Sequence, residues 1–310
     1  MKLGFGTWGI GGKDYGPITS NYSLKLIKFA LKKKINFFDT APLYGNGRSE
    51  CLLGTIIKKI DRSRIVIVTK GGMLPHTGFD LKQDFSINNL QKDLQKSLRR
   101  LNTSYVDYYL LHSPNLKKIN IKKIIIFFQK LKKRGVIKKF GVSLKSPNDI
   151  FFLKNFFTDL DVVEFNFNLF DQRAIDIKIF SLLKKNKIES ICRTPLCFGF
   201  LQTQDINRNS LSSNDHRRKF WSNLQFLRWN SSKNFFLNFT TSNKYADFSQ
   251  FALHFCMSFD FDYVIPGMMK KEDILSNIKI NSYSRIKKST LNKIYRKYKE
   301  LEGYIFVTKK

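Results

Sequence analysis

Eight short runs rich in β-branched and aromatic residues alternate along this chain with stretches of helical periodicity. The runs are LGFGTW (residues 3–8), INFFDT (35–40), RIVIVTK (64–70), VDYYLLH (106–112), KKFGVS (138–143), DVVEFNF (161–167), IESICRTP (188–195) and DYVIPG (262–267). Helical patterns such as SLKLIKFALKKK, INNLQKDLQKSLRRL and DIFFLKNFF lie between them. Strands that alternate with helices build an α/β fold around a parallel sheet. At 310 residues, a closed (β/α)8 TIM barrel fits this order better than a doubly wound sheet. No Pro/Gly/Ser linker divides the chain and no internal repeat is visible, so residues 1–310 are expected to form a single domain. One long irregular stretch, from Leu201 to Lys244 after the seventh run, reads as a lid or binding loop.

Composition excludes several classes. No stretch of 18 residues is free of charge, so no membrane-spanning helix is expected. The glycine-rich start, MKLGFGTWGIGG, does not resemble a secretory signal. Cys51, Cys192, Cys197 and Cys256 show no C-x-x-C spacing, and the four histidines are dispersed. A metal site and a disulfide framework are therefore not expected, and buried thiols in a reducing cytoplasm fit better. The formal net charge of +31 raises the question of an anionic partner, RNA or an anionic surface. In segments such as IKKIIIFFQKLKKRG, however, lysines alternate with apolar residues at helical spacing, as on solvated outer faces of amphipathic helices. No specific nucleic-acid or membrane partner is expected.

In a barrel, reactive groups gather at the carboxyl ends of the strands. Three consecutive runs end near Asp39, Lys70 and His112, and Tyr44 lies in the loop just after Asp39. Each alone is ordinary for a strand end or loop; together, neighbouring strands would aim them at one point. A free phenol has a pKa near ~10, and an adjacent ammonium lowers it. A carboxylate would orient that ammonium, and a histidine can hold a carbonyl oxygen by hydrogen bonding. The set suits proton donation to an oxygen gaining negative charge. Carbonyl reduction makes that demand, with the hydride drawn from a cofactor.

The motifs LGFGTWGIGG, FFDTAPLYGNGRSECLLG, VTKGG, YYLLHSP, GVSLKSP, FNFNLFDQR, RTPLCFGFL and VIPGMMKKEDILSN resemble, in that order and spacing, the aldo-keto reductases. The resemblance runs from Leu3 to about Ile278. It implies a (β/α)8 barrel that reduces an aldehyde or ketone with a nicotinamide cofactor, without metal. It further implies Tyr44 as general acid, Lys70 and Asp39 as its tuning pair, and His112 as orienter of the carbonyl. Its motif set is closest to bacterial members that act on sugars or small polar carbonyls.

By the same resemblance the cofactor lies extended across the barrel mouth. Gly6, Thr7 and Trp8 would border nicotinamide and substrate, with Asp39 beside them. Ser143 and Glu164 would meet the nicotinamide amide; Glu164 stands where a glutamine is usual, and a carboxylate accepts but cannot donate. Leu144 replaces the asparagine often found beside the serine. Arg193, Thr194, Leu196 and Gly199 match positions flanking nicotinamide and pyrophosphate, though a glycine usual just after them is missing. Gly267 closes the VIPG motif, and Asn277 matches an adenine contact. The arginine that commonly clamps a 2′-phosphate is replaced by Met269, followed by Lys270 and Lys271. A lysine holds phosphate as a point charge, so NADP(H) is favoured, with NAD(H) as the alternative. A short hairpin usual before the first strand is not seen, so the barrel bottom is expected to be open or covered by other segments. In the long stretch, Trp221, Trp229 and the DHRRK run either line a pocket or pack against the barrel. The rival function is a cofactor-binding docking subunit with little turnover.

Overall fold

A computed structural model of the protein describes residues 2–12, 14–75, 82–240 and 245–306. Nine strands run parallel: β1 (Lys2–Leu3), β2 (Phe5–Gly6), β3 (Phe37–Asp39), β4 (Val66–Gly71), β5 (Val106–His112), β6 (Ile137–Ser143), β7 (Val162–Asn166), β8 (Glu189–Arg193) and β9 (Tyr263–Val264). Their order around the sheet is β1-β9-β8-β7-β6-β5-β4-β3-β2. The first two are halves of one stave broken at Gly4, whose amide donates to Val264 O at 2.9 Å. A Cβ on Gly4 would lie 2.8 Å from both Phe37 and Ile265, so the close approach there requires glycine. Gly6 N then donates to Pro266 O at 3.0 Å, and the ring closes. The expected barrel is the observed one.

The helices are α1 (Trp8–Gly11), α2 (Ser20–Lys32), α3 (Arg48–Ile57), α4 (Ile87–Leu101), α5 (Ile121–Lys133), α6 (Arg173–Asp176), α7 (Ile179–Lys185), α8 (His216–Phe220), α9 (Asn223–Ser232), α10 (Phe248–Met257), α11 (Lys271–Lys279) and α12 (Lys288–Ile305). Polar side chains start several of them: Thr19 Oγ1 accepts from Tyr22 N, Ser86 Oγ from Asn89 N, and Asn120 Oδ1 from Lys123 N, each satisfying an otherwise unpaired donor. On α5, Ile124, Ile125, Phe128 and Leu131 are buried while Lys122, Lys123, Lys130, Lys132 and Lys133 are exposed, as the lysine spacing predicts. No helix of the described residues is long and apolar enough to cross a membrane.

Three expectations need correction. The first run does not continue as strand to Trp8, because the chain turns into α1 after Gly6. The DIFFLKNFF stretch is a 3-10 helix, Pro147–Phe156, and its buried residues Pro147, Ile150 and Leu153 recur every third position. That spacing aligns side chains on a three-residue turn. The long stretch is mostly helical, with α8, α9 and 3-10 turns at Arg208–Ser210 and Lys233–Thr240; residues 241–244 of it lie outside the described residues. Its tryptophans pack inward. Trp229 is buried and lies 4.7 Å, ring centroid to centroid, from Phe200 and 5.0 Å from Trp221.

The barrel bottom is filled by the strands' own side chains. Phe37 and Tyr263 stack at 3.8 Å, with Tyr108 edge-on to Phe37 at 5.6 Å. Tyr108 Oη donates to Glu189 Oε2 at 2.8 Å, and Lys139 pairs with the same carboxylate.

Candidate active site

Successive side chains on a strand point to opposite faces, and here that alternation builds both the barrel interior and the site. Phe37, Val68, Leu110, Val162, Ile191 and Ile265 form one apolar layer inside the barrel. Two residues further along the same staves come Asp39, Lys70, His112, Glu164, Arg193 and Gly267. The inward parity that buries the layer below therefore delivers the polar groups above it to one mouth, at the strands' carboxyl ends.

Lys70 is the centre of that mouth and is fully buried. Its Nζ lies 2.5 Å from Asp39 Oδ2, donates to Thr40 O at 3.2 Å, and stands 3.6 Å from Glu164 Oε2. Burial alone would lower its pKa, but the charges of Asp39 and Glu164 outweigh that and hold the ammonium above the usual lysine range. Asp39 moves the other way. Burial and then the charge of Glu164 raise its carboxyl well above the usual range, against the pull of Lys70. One lysine gains from two carboxylates, whereas two carboxylates must share one lysine.

Tyr44 sits over this centre, with Lys70 Nζ 5.3 Å from its ring centroid. Burial raises its phenol above the ordinary value of 10.0. Lys70 is the strongest opposing pull, while Asp39 and Glu164 push further up. The expected lowering by Lys70 is thus present but outweighed, and the phenol is held in its protonated form. His112 stands edge-on to Tyr44 at 6.1 Å and Trp8 stacks on its other side at 5.7 Å. Gly45, which follows Tyr44, has φ +61°, and a Cβ there would lie 1.7 Å from Gly11 O. Only glycine lets the Tyr44 loop lie against α1.

The long stretch folds over the same mouth. His216 N and Nδ1 both lie against Asp14 O, at 2.9 and 2.7 Å, which fixes the proton on Nδ1. Trp8 Nε1 donates to Asp14 Oδ2 at 2.7 Å, and the His216 ring lies 4.4 Å from both Trp8 and Tyr15. Burial pushes the His216 pKa down to about 4, so the imidazole is neutral. The sequence flags the DHRRK run but nothing about Tyr15 or Asp14, since their partners lie some 200 residues away.

The remaining expected contacts divide. Ser143 Oγ donates to Glu164 Oε1 at 2.7 Å, while Glu164 Oε2 accepts no hydrogen bond among the described residues. Arg193 donates through Nη2 to Leu144 O at 2.6 Å, and its buried Nε makes no hydrogen bond among the described residues. Asn277 Nδ2 is likewise buried and makes no hydrogen bond among the described residues. Thr7 is less available: its hydroxyl donates to Asp39 O at 2.7 Å and accepts from Ser49. Thr194 Oγ1 binds Asn166 Oδ1 at 3.0 Å. Gly199, at φ +94°, closes the turn after β8 beside Arg217. Leu196, Gly267 and Asn277 line one cavity of about 310 Å³. Lys270 and Lys271 do not line it. Lys271 Nζ lies 5.7 Å from the Phe29 ring on α2, because α11 begins with that side chain turned outward. Three acidic residues line the cavity, Asp247, Glu272 and Asp273. The motif reading passed over them, although KKED at a helix start is a visible signal.

A (β/α)8 barrel with a lysine locked between carboxylates under a tyrosine, at the carboxyl-end mouth, narrows the class of protein. Residues 2–299 match the Aldo/keto reductase family, and the chain belongs to that family. It is 30% identical over 208 residues, 67% of its length, to a probable aldo-keto reductase of Glycine max, spanning 59% of that relative. An NADH-specific methylglyoxal reductase of Escherichia coli is 27% identical over 71% of each chain. The structure superposes on glycerol dehydrogenase from Gluconobacter oxydans with a TM-score of 0.77, at 23% identity, over 99% of this chain and 94% of that one. That likeness establishes the fold.

Proposed function

We propose that this chain is a reductase of aldehydes or ketones that uses a nicotinamide dinucleotide, with Tyr44 as the proton donor. The observation that carries the reading is the protonated phenol of Tyr44 held above Lys70, whose ammonium Asp39 and Glu164 keep charged. Family membership supports it, as do the named activities of relatives.

The residues present fit the cofactor. Three buried polar atoms that make no hydrogen bond among the described residues, Glu164 Oε2, Arg193 Nε and Asn277 Nδ2, belong to positions the resemblance assigns to it. Leaving such groups unpaired is costly. Glu164 Oε2 accepts and suits an amide NH2; Arg193 Nε donates and suits an anionic oxygen; Asn277 Nδ2 suits a ring nitrogen of a base. When bound, the dinucleotide supplies a hydride.

The chain's own residues do the rest. His112 orients the carbonyl oxygen, and Tyr44 gives its proton to that oxygen as charge develops. The nearby Lys70 ammonium stabilises the phenolate left behind, and the Asp39 contact keeps that ammonium in place. Trp8, stacked on Tyr44, holds the ring and walls the site from water. Small polar carbonyls, sugars among them, are the class to test first.

The test is to titrate the purified protein with NADH and NADPH, then assay a carbonyl panel alongside Tyr44→Phe. Loss of proton donation is expected to lower kcat by ~10²–10⁴ with dinucleotide affinity retained. Turnover that survives in Tyr44→Phe overturns the assignment.

A further inference from the structure

We infer that the adenosine end of the site selects NAD(H) and discriminates against the 2′-phosphate of NADP(H). The inference rests on the dinucleotide reading above, which places the second nucleoside at Asn277. That residue, with Leu196 and Gly267, lines the cavity of about 310 Å³ between the turn after β8 and α11. Asn277 also offers the cavity's wall a buried amide donor that makes no hydrogen bond among the described residues.

The charge around the cavity is negative. Asp247, Glu272 and Asp273 contribute carboxylates, and among the described residues the single lining cation is Lys279. Lys279 ends α11, six residues after Asp273, or about 9 Å along the axis. The start of α11 already carries a carboxylate of its own. The amides of Met269 and Lys270 both donate to Asp273 Oδ2, at 2.8 and 3.0 Å, a capping contact that fixes this carboxylate at the start of the helix.

Nor do the neighbouring cations face inward. Lys271 reaches the Phe29 ring on α2, and Lys270 is solvent-exposed. Met269 turns its thioether toward Gly9, within 3.1 Å of where a Cβ would stand, and carries no charge. A carboxylate accepts hydrogen bonds from the vicinal hydroxyls of an unsubstituted ribose. A 2′-phosphate, with a charge of about −1.5 to −2 near neutrality, meets repulsion from three carboxylates instead. The sequence favours NADP(H) because of Lys270 and Lys271; their placement turns the preference around.

The test is dinucleotide binding rather than activity. The full chain is titrated with NADH and with NADPH by tryptophan quenching, at about 0.15 M salt, where the field of distant charges is screened. Low salt would mislead, since a net charge of +31 attracts the more anionic nucleotide non-specifically. NADH is expected to bind at least tenfold more tightly. In Glu272→Lys, NADPH affinity should rise several-fold while NADH changes less. NADPH binding equal to or tighter than NADH overturns the selectivity and leaves the dinucleotide reading standing. A ratio unmoved by Glu272→Lys removes Glu272 from the inference, and failure of both nucleotides to bind overturns both readings.

Discussion

Glu164 shares Lys70 with Asp39, its Oε2 3.6 Å from the lysine Nζ and its Oε1 accepting from Ser143. The site therefore holds two buried carboxylates and one buried ammonium. A glutamine, usual at this position by the family resemblance, would leave a neutral Asp–Lys pair. The extra charge presses on Asp39 and on the phenol above.

Removing the lysine should expose that imbalance. Lys70→Met leaves two carboxylates buried without their cation, and the loss of one partner of a buried ion pair typically costs about 3–5 kcal/mol. A marked fall in Tm is expected, with partial recovery when Asp39→Asn is added. Calorimetry of the two variants checks it, and an unchanged Tm in Lys70→Met would contradict the buried geometry.

Replacing Glu164 by Gln should change how stability depends on pH. Asp39 has a folded pKa raised above its ordinary 3.8, so the folded state binds its proton more tightly than the unfolded chain does. Stability is then lost as pH rises from 3.8 through the folded value. With the neighbouring charge gone, that loss should shrink, and Tm measured from pH 4 to 8 should fall less steeply in Glu164→Gln. Parallel profiles in the two proteins would show that the two carboxylates do not interact.

The opposite sign applies at His216. Its folded pKa of about 4 lies below the ordinary 6.5, so the unfolded state binds the extra proton first. The stability at stake is complete above pH 6.5 and drains away as pH falls toward 4, by roughly 3 kcal/mol at one pKa unit per 1.36 kcal/mol. His216→Phe keeps an aromatic ring against Trp8 and Tyr15 and removes the titration. Its Tm should vary less than that of the native chain between pH 6.5 and 4.

Gly45→Ala tests the loop that presents Tyr44. The new Cβ would lie 1.7 Å from Gly11 O at a φ of +61°, so the backbone must move. A loss of roughly 1–3 kcal/mol is expected from the strained conformation, together with lower turnover as the phenol shifts. Full activity in this variant would show that the loop relaxes without moving Tyr44.

The sequence by itself determined the barrel and the membership of its mouth. Both follow from local physics. Alternating period-2 and helical patterns permit little else, and a polar residue two positions past a buried inward one must share its face, as Asp39 follows Phe37 and Lys70 follows Val68. What only the tertiary structure decided depends on partners distant along the chain. Glu164 becomes a second counter-charge because β7 places it across the barrel from β3. Burial, which no motif records, holds the Tyr44 phenol up against the pull of Lys70. Lys271 looks like a phosphate ligand in sequence, yet α11 turns it toward Phe29 and leaves Glu272 and Asp273 on the cavity. His216 finds Asp14 across some 200 residues. Residue types and spacings reveal which groups a strand can deliver; the direction of a side chain and the field around it come from the packing of the whole chain.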